Sequence, residues 1–97
     1  MNPYYFALAS EKFLLRQEPI EEILRERTKY YEYMNKPIDF WLIKPNLFLE
    51  VPEILEVGKK LSGPIAAVIS TNVLFITWLK LRLSFVITGS ITKTILK

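Results

Sequence analysis

IAAVISTNVLFITWLKLRLSFVITG, residues 65–89, is the stretch on which the fold turns. It opens on the β-branched run Ile65 to Ile69, which suits a short buried strand. Ser70 or Thr71 then stands where a helix needs its N-cap, because a short side-chain oxygen accepts a free N–H of the first turn. Phe75, Leu79 and either Arg82 or Leu83 recur at helical spacing. The same letters carry a second pattern: Leu79, Leu81, Leu83, Phe85 and Ile87 alternate as a strand would. A helix to about Arg82, followed by a strand from Ser84 to Thr88 that stops at Gly89, accommodates both.

Working outward, Tyr4 to Leu8 reads as a buried opening strand, rich in aromatic and aliphatic residues. Ser10 to Gln17 shows no clear period, although Phe13, Leu14 and Leu15 need a core contact. Pro19 to about Tyr33 is a helix, with proline at its first turn and Ile20, Ile23, Leu24, Tyr31 and Met34 on one face. Asn35 and Pro37 end it. Ile38 to Lys44 (IDFWLIK) is a strand whose two faces are both largely apolar, the pattern of an interior strand covered on both sides. Pro45-Asn46 makes a turn. Pro52 opens a second helix to about Leu61, with Ile54, Leu55 and Leu61 inward, and Gly63-Pro64 stops it.

The resulting order, β-α-β-α-β-α-β in 97 residues, predicts a single domain over residues 1–97. The expected class is α+β, with α/β as the alternative: one sheet of about four strands with helices packed on it. The tail from Ile91 to Lys97 is expected to be loose.

Composition narrows the chemistry. The chain has neither histidine nor cysteine. Histidine is the usual general base near neutral pH and the commonest metal ligand, and the cysteine thiolate is the other soft ligand and ready nucleophile. Zinc sites, Ser–His or Cys–His machinery, iron–sulfur clusters and disulfides are therefore not expected. The three glycines, at 58, 63 and 89, form no phosphate-binding loop. Glu18, Glu21, Glu22 and Glu26 read as a solvated helix face, since a di-iron bundle needs Glu-x-x-His helices. The expectation is a binding or assembly protein with no metal, no cofactor and no catalytic residues.

Leu61 to Leu79 contains no charge, and a membrane span needs about 20 apolar residues. Gly63-Pro64 and Ser70-Thr71-Asn72 interrupt it, so a strand followed by a helix is expected instead. MNPYYFALAS lacks the basic start of a secretory signal, so folding is expected in the compartment of synthesis.

Net charge is +3 but unevenly spread. All ten acids lie between residues 11 and 56, where seven bases leave a net of −3. Beyond Glu56 stand six bases and no acid: Lys59, Lys60, Lys80, Arg82, Lys93 and Lys97. A positive half invites an acidic partner, although such wide spacings do not make a phosphate track. Aromatic and basic residues interleave in RERTKYYEY (25–33) and FITWLKLR (75–82), a pattern seen in single-strand stacking platforms, but Glu26 and Glu32 dilute the first.

Three features carry partner-binding potential. Asp39 lies in a hydrophobic strand, where a carboxylate needs a donor, a cation or an exposed strand entrance. Phe40 and Trp41 point to opposite faces, each either core or interface anchor. Arg82 interrupts the apolar run WLKLRL, with a planar fork suited to a carboxylate across an interface or to a surface pair with Asp39.

YYFALAS (4–10), EPIEEILRERTKYY (18–31), IDFWLIK (38–44) and AAVISTNVLFITWLKLRL (66–83) together resemble the hypothetical chloroplast reading frame fifty-four family of cyanobacterial and plastid proteins. The resemblance runs in order to about Gly89. It implies a non-catalytic accessory factor of the aerobic magnesium-protoporphyrin IX monomethyl ester cyclase of chlorophyll biosynthesis, whose di-iron chemistry belongs to another subunit. It further implies that Asp39, Phe40 and Arg82 lie in the surface that meets that catalytic subunit. The chain would then sit in plastid stroma or cyanobacterial cytoplasm, peripheral to the membrane through its partner. Two other readings compete: a tetrapyrrole carrier, which needs a deep apolar pocket, and a single-stranded nucleic-acid binder, which needs a basic track.

Overall fold

The computed structural model describes residues 3–18, 20–43, 56–61 and 63–91. Strand β1 (Tyr4–Ser10) leads through a π-helical segment (Lys12–Gln17) into helix α1 (Ile20–Tyr33). Strands β2 (Phe40–Ile43) and β3 (Ile65–Ser70), helix α2 (Val73–Leu83) and strand β4 (Ile87–Ile91) follow. The strands form one sheet in the order β2-β3-β1-β4, and all three pairings are antiparallel. The class is α+β, as expected.

Alternation along β1 explains the two-sided core. Ala7 and Ala9 face α1 and α2, together with Ala66 and Val68 of β3. Phe6 and Leu8 face the opposite side, with Ala67 and Ile69. Successive strand residues point to opposite faces, so both central strands are buried on both sides. The small side chains on the first face leave room for Leu24 and Tyr31 of α1 and for Phe75, Ile76, Leu79 and Leu83 of α2. On the second face Val57 and Leu61 pack against the sheet.

The undecided stretch after β1 resolves into a wide π turn that buries Leu14 and half-buries Phe13 and Leu15. Ser10 Oγ accepts from the Phe13 N–H at 3.1 Å. The Glu18 N–H reaches back to the Phe13 carbonyl at 2.8 Å, the five-residue spacing of a π turn.

Several boundaries move. Met34, expected inward, is exposed, because α1 ends at Tyr33 and Asn35 turns left-handed at φ +55°. Strand β2 is shorter than the expected 38–44, and among the described residues it lies at the sheet edge, not inside it. Its two-sided apolarity has another cause: the sheet is covered on both faces, so Phe40 and Ile43 are each buried even at the edge. The cap of α2 is Asn72 rather than Ser70 or Thr71; its Oδ1 accepts from the N–H groups of Leu74 (3.0 Å) and Phe75 (3.3 Å). Ser70 is wholly buried instead, donating to the Asp39 carbonyl at 2.7 Å and accepting from the Asn72 N–H at 2.9 Å.

Helix α2 runs to Leu83, and Ser84 at φ +69° breaks it. The Lys80 ammonium then holds the carbonyls of Ser84 (3.3 Å) and Val86 (2.6 Å), so the expected strand over 84–88 starts only at Ile87. It continues through Gly89 to Ile91, whose side chain is buried and not part of a loose tail. The turn at Pro45-Asn46, residues 52–55 of the expected helix over 52–61 and residues 92–97 of the expected tail lie outside the described residues; 56–58 are helical. Among the described residues no helix is long and apolar enough to cross a membrane.

Gly89 is a close-packing position within the strand. A Cβ there would meet Phe6 Cζ at 2.6 Å, and that ring is buried. Gly89→Ala is expected to destabilise the domain by about 1–3 kcal/mol, the usual range for overpacking, read as a lower denaturant midpoint at unchanged slope.

Candidate functional site

Helix α2 (VLFITWLKLRL) is apolar nearly all round, a composition expected of a helix buried on every side. Here only one side is covered. Phe75, Ile76, Leu79 and Leu83 enter the core. Leu74, Trp78 and Leu81, spaced i, i+4, i+7, share the opposite side and are exposed, Leu74 at 76% and Leu81 at 78%. Phe85, just past the helix end, is exposed at 79% and rests edge-on against Phe13 at 6.0 Å. Contiguous exposed apolar surface on a small domain marks a docking site.

Cations flank this stripe. At about 100° per residue Arg82 falls beside Trp78, on the flank nearer Phe75, and Lys80 falls on the other flank, toward β4. Arg82 is exposed in the last turn of α2. Among the described residues no ion pair joins it to Asp39.

Beneath the stripe runs an aromatic ladder. Tyr31 meets Phe40 edge-on at 5.3 Å, Phe40 meets Phe75 at 5.5 Å, and Phe75 stacks on Trp78 at 6.1 Å. Phe40 is only 4% exposed, so its ring is a buried support for Phe75 and Trp78 rather than part of the surface itself. Trp41, on the other face of β2, is half-buried against Tyr4 at 6.3 Å.

Asp39 precedes β2 and is half-buried. Its carboxylate accepts from the Tyr31 hydroxyl at 2.8 Å, and its carbonyl accepts from Ser70 Oγ and from the Thr71 N–H at 3.1 Å. The donor that a strand carboxylate needs is therefore a tyrosine of α1. Tyr31→Phe removes that donor while keeping the ring, and is expected to lower stability by about 1–2 kcal/mol in a thermal melt.

The residue missed from sequence is Arg27. Its guanidinium lies 3.8 Å from the Phe75 ring centre, 5.0 Å from Tyr31 and 5.6 Å from Phe40. Nη2–H donates to the Tyr31 hydroxyl at 3.0 Å, while Nε is buried without a hydrogen-bond partner. A cation on aromatic faces is stabilised by about 0.5–2 kcal/mol, rising with desolvation. The signal was available: Ile20, Leu24, Arg27 and Tyr31 share the spacing i, i+4, i+7, i+11, so Arg27 belongs to the inward stripe of α1.

The structure thus joins Asp39 to Tyr31 and Phe40 to Phe75, both behind the exposed side of α2, and leaves Arg82 free on its flank. A cleft of about 290 Å³ opens elsewhere, between α2 and β4. It sits at the lower edge of the range for drug-sized ligands, and a tetrapyrrole is larger than those.

The Ycf54 protein family model matches residues 2–93. The chain belongs to the Ycf54 family. It is 53% identical over 89 residues to a Ycf54 protein of Pyropia yezoensis, covering 92% of this chain and 80% of that one. It is 51% identical to the Ycf54-like protein of Synechocystis sp., over 92% of this chain and 67% of the relative. The chloroplastic YCF54 protein of Arabidopsis thaliana is 38% identical, over 94% of this chain and 43% of its own length. Among solved structures, the All0216 protein from Nostoc sp. superposes with a TM-score of 0.86 at 53% identity, covering 96% of this chain and 86% of that one. The Ycf54 protein from Synechocystis gives 0.85 at 47% identity, covering 97% and 88%. The Ycf54 fold and the cyanobacterial and chloroplast distribution of these relatives match the sequence-based expectation.

Proposed function

We propose that this Ycf54 family chain is a non-catalytic accessory subunit that binds the catalytic di-iron subunit of the aerobic magnesium-protoporphyrin IX monomethyl ester cyclase. The observation that carries the reading is the exposed apolar side of α2, since a contiguous apolar patch on a small domain marks an interaction site. Leu74, Trp78 and Leu81 supply the apolar centre, Arg82 a charged contact at its edge, and Phe40 and Arg27 hold the aromatic ladder behind it. The family resemblance supplies the identity of the partner. The chain contributes a surface, not a reaction, and meets the membrane through its partner.

Co-purification tests this. Tagged chain should retain the catalytic subunit from detergent-solubilised cyanobacterial or plastid membranes. Arg82→Ala should leave folding within about 0.5 kcal/mol of the parent, as for exposed positions. Retention should nevertheless weaken by roughly 2–5 kcal/mol if the guanidinium is desolvated against a carboxylate of the partner. Failure of the parent chain to retain the catalytic subunit would sink the proposal.

A further inference from the structure

The second feature lies on the other flank of α2. Strand β4 is the outer strand of the sheet beyond β1, and among the described residues it pairs on its β1 side alone. Natural edge strands carry lysine, proline or a bulge that stops another strand from adding. Ile87–Ile91 (ITGSI) contains no charge and no proline, and its register against β1 is unbroken from Tyr4↔Ile91 to Leu8↔Ile87. Its two faces differ. Ile87 and Ile91 join the apolar cluster around Phe6, whereas Thr88 and Ser90 are exposed toward α2. There they border the cleft of about 290 Å³, together with Tyr5, Ile76, Thr77 and Lys80. Lys80 is the one charged side chain in that lining. Two of its three N–H donors hold the Ser84 and Val86 carbonyls, which fixes the ammonium at the entrance to β4 and leaves one donor over.

We propose that the outer edge of β4 is a strand-addition site for an extended, acidic segment of a partner protein. The free main-chain groups of the edge supply the pairing, alternate side chains of the added strand lie over the cleft, and a carboxylate on one of them takes the remaining N–H of Lys80. Charge selects this occupant over a second copy of the chain. Beyond Glu56 the sequence holds six bases and no acid, so a copy laid along the same edge brings another Lys80 and no carboxylate. The inference rests on reading the chain as a partner-binding module, but it uses a different surface from the outward side of α2, and the two surfaces are tested by different variants.

The test is a solution NMR titration of the intact, isotope-labelled chain with two short peptides, one alternating valine with glutamate and the other valine with lysine. The glutamate peptide is expected to shift the amides of Thr88 and Ser90 and to bind about tenfold more tightly than the lysine peptide. Lys80→Gln should erase that preference. Because Lys80 also holds two carbonyls, Thr88→Glu provides a second check: it leaves Lys80 in place and should repel the glutamate peptide. Leu81→Ser should leave peptide binding unchanged, which separates this site from the docking of the catalytic subunit. Equal affinity for the two peptides, no shift along β4, or undiminished glutamate-peptide binding by Thr88→Glu would overturn the proposal. So would concentration-dependent shifts along β4 without peptide, which would report a second copy on the edge.

Discussion

Replacing Leu74 and Leu81 together by serine is expected to abolish capture of the catalytic subunit without unfolding the chain. Both side chains are more than three-quarters exposed, so the folded state loses little packing. The melting temperature should stay within about 8 °C of the parent, as for two surface changes of about 0.5 kcal/mol each in a domain of this size. At an interface the same positions are apolar anchors. If each contributes about 2 kcal/mol, the pair weakens binding by roughly a thousand-fold. Thermal melts run beside co-purification read both quantities. Full capture by the double variant would move the docking site away from α2.

Phe40→Ala is expected to act in the opposite way. The ring is buried and touches both Tyr31 and Phe75, so truncation leaves a cavity and undercuts the face on which Arg27 rests. Removing a buried phenylalanine costs about 3–5 kcal/mol, which lowers the melting temperature of a domain this size by roughly 15 °C or more. Capture measured well below that melting temperature should fall only as far as the folded fraction falls, or as far as Trp78 loses its support. Phe40→Leu, which refills much of the volume, should recover most of the stability. A variant that melts like the parent yet loses its partner would mean that the ring itself makes the contact.

The outcome for Phe40→Ala, set beside that for Arg82→Ala, marks what distinguishes two residues that the family resemblance groups together. Arg82 interrupts an apolar run whereas Phe40 continues one, yet the family resemblance assigns both to a partner surface. Depth separates them. Phe40 sits under α2 while Arg82 stands on its flank, and that follows from how α2 crosses the sheet. The same applies to Asp39, whose need for a donor is plain from its strand context, while the donor, Tyr31, comes from the far end of α1.

Arg27 illustrates a different gap. Its place in the inward stripe of α1 is a matter of counting, but a charged residue there reads as misplaced until three aromatic rings from three elements are seen around it. The cap of α2 was obscured by its neighbours. Ser70, Thr71 and Asn72 are all competent caps, and the choice depends on Ser70 being consumed by the Asp39 carbonyl and the Asn72 N–H.

Local chemistry, then, was enough for β1 and β3, which are continuous apolar runs, and for α1, whose side-chain period picks out one face, and the missing histidine and cysteine bound the chemistry. Tertiary structure alone decided the antiparallel order β2-β3-β1-β4, the edge placement of β2, and the end of α2 at Ser84. It also decided which half of an all-round apolar helix is left facing outward. The reason is physical. A period reports which residues must leave water, whereas the identity of what covers them is set by contacts between segments far apart in the chain. In α2, where nearly every position is apolar, the pattern carries no direction, and only the sheet beneath it supplies one.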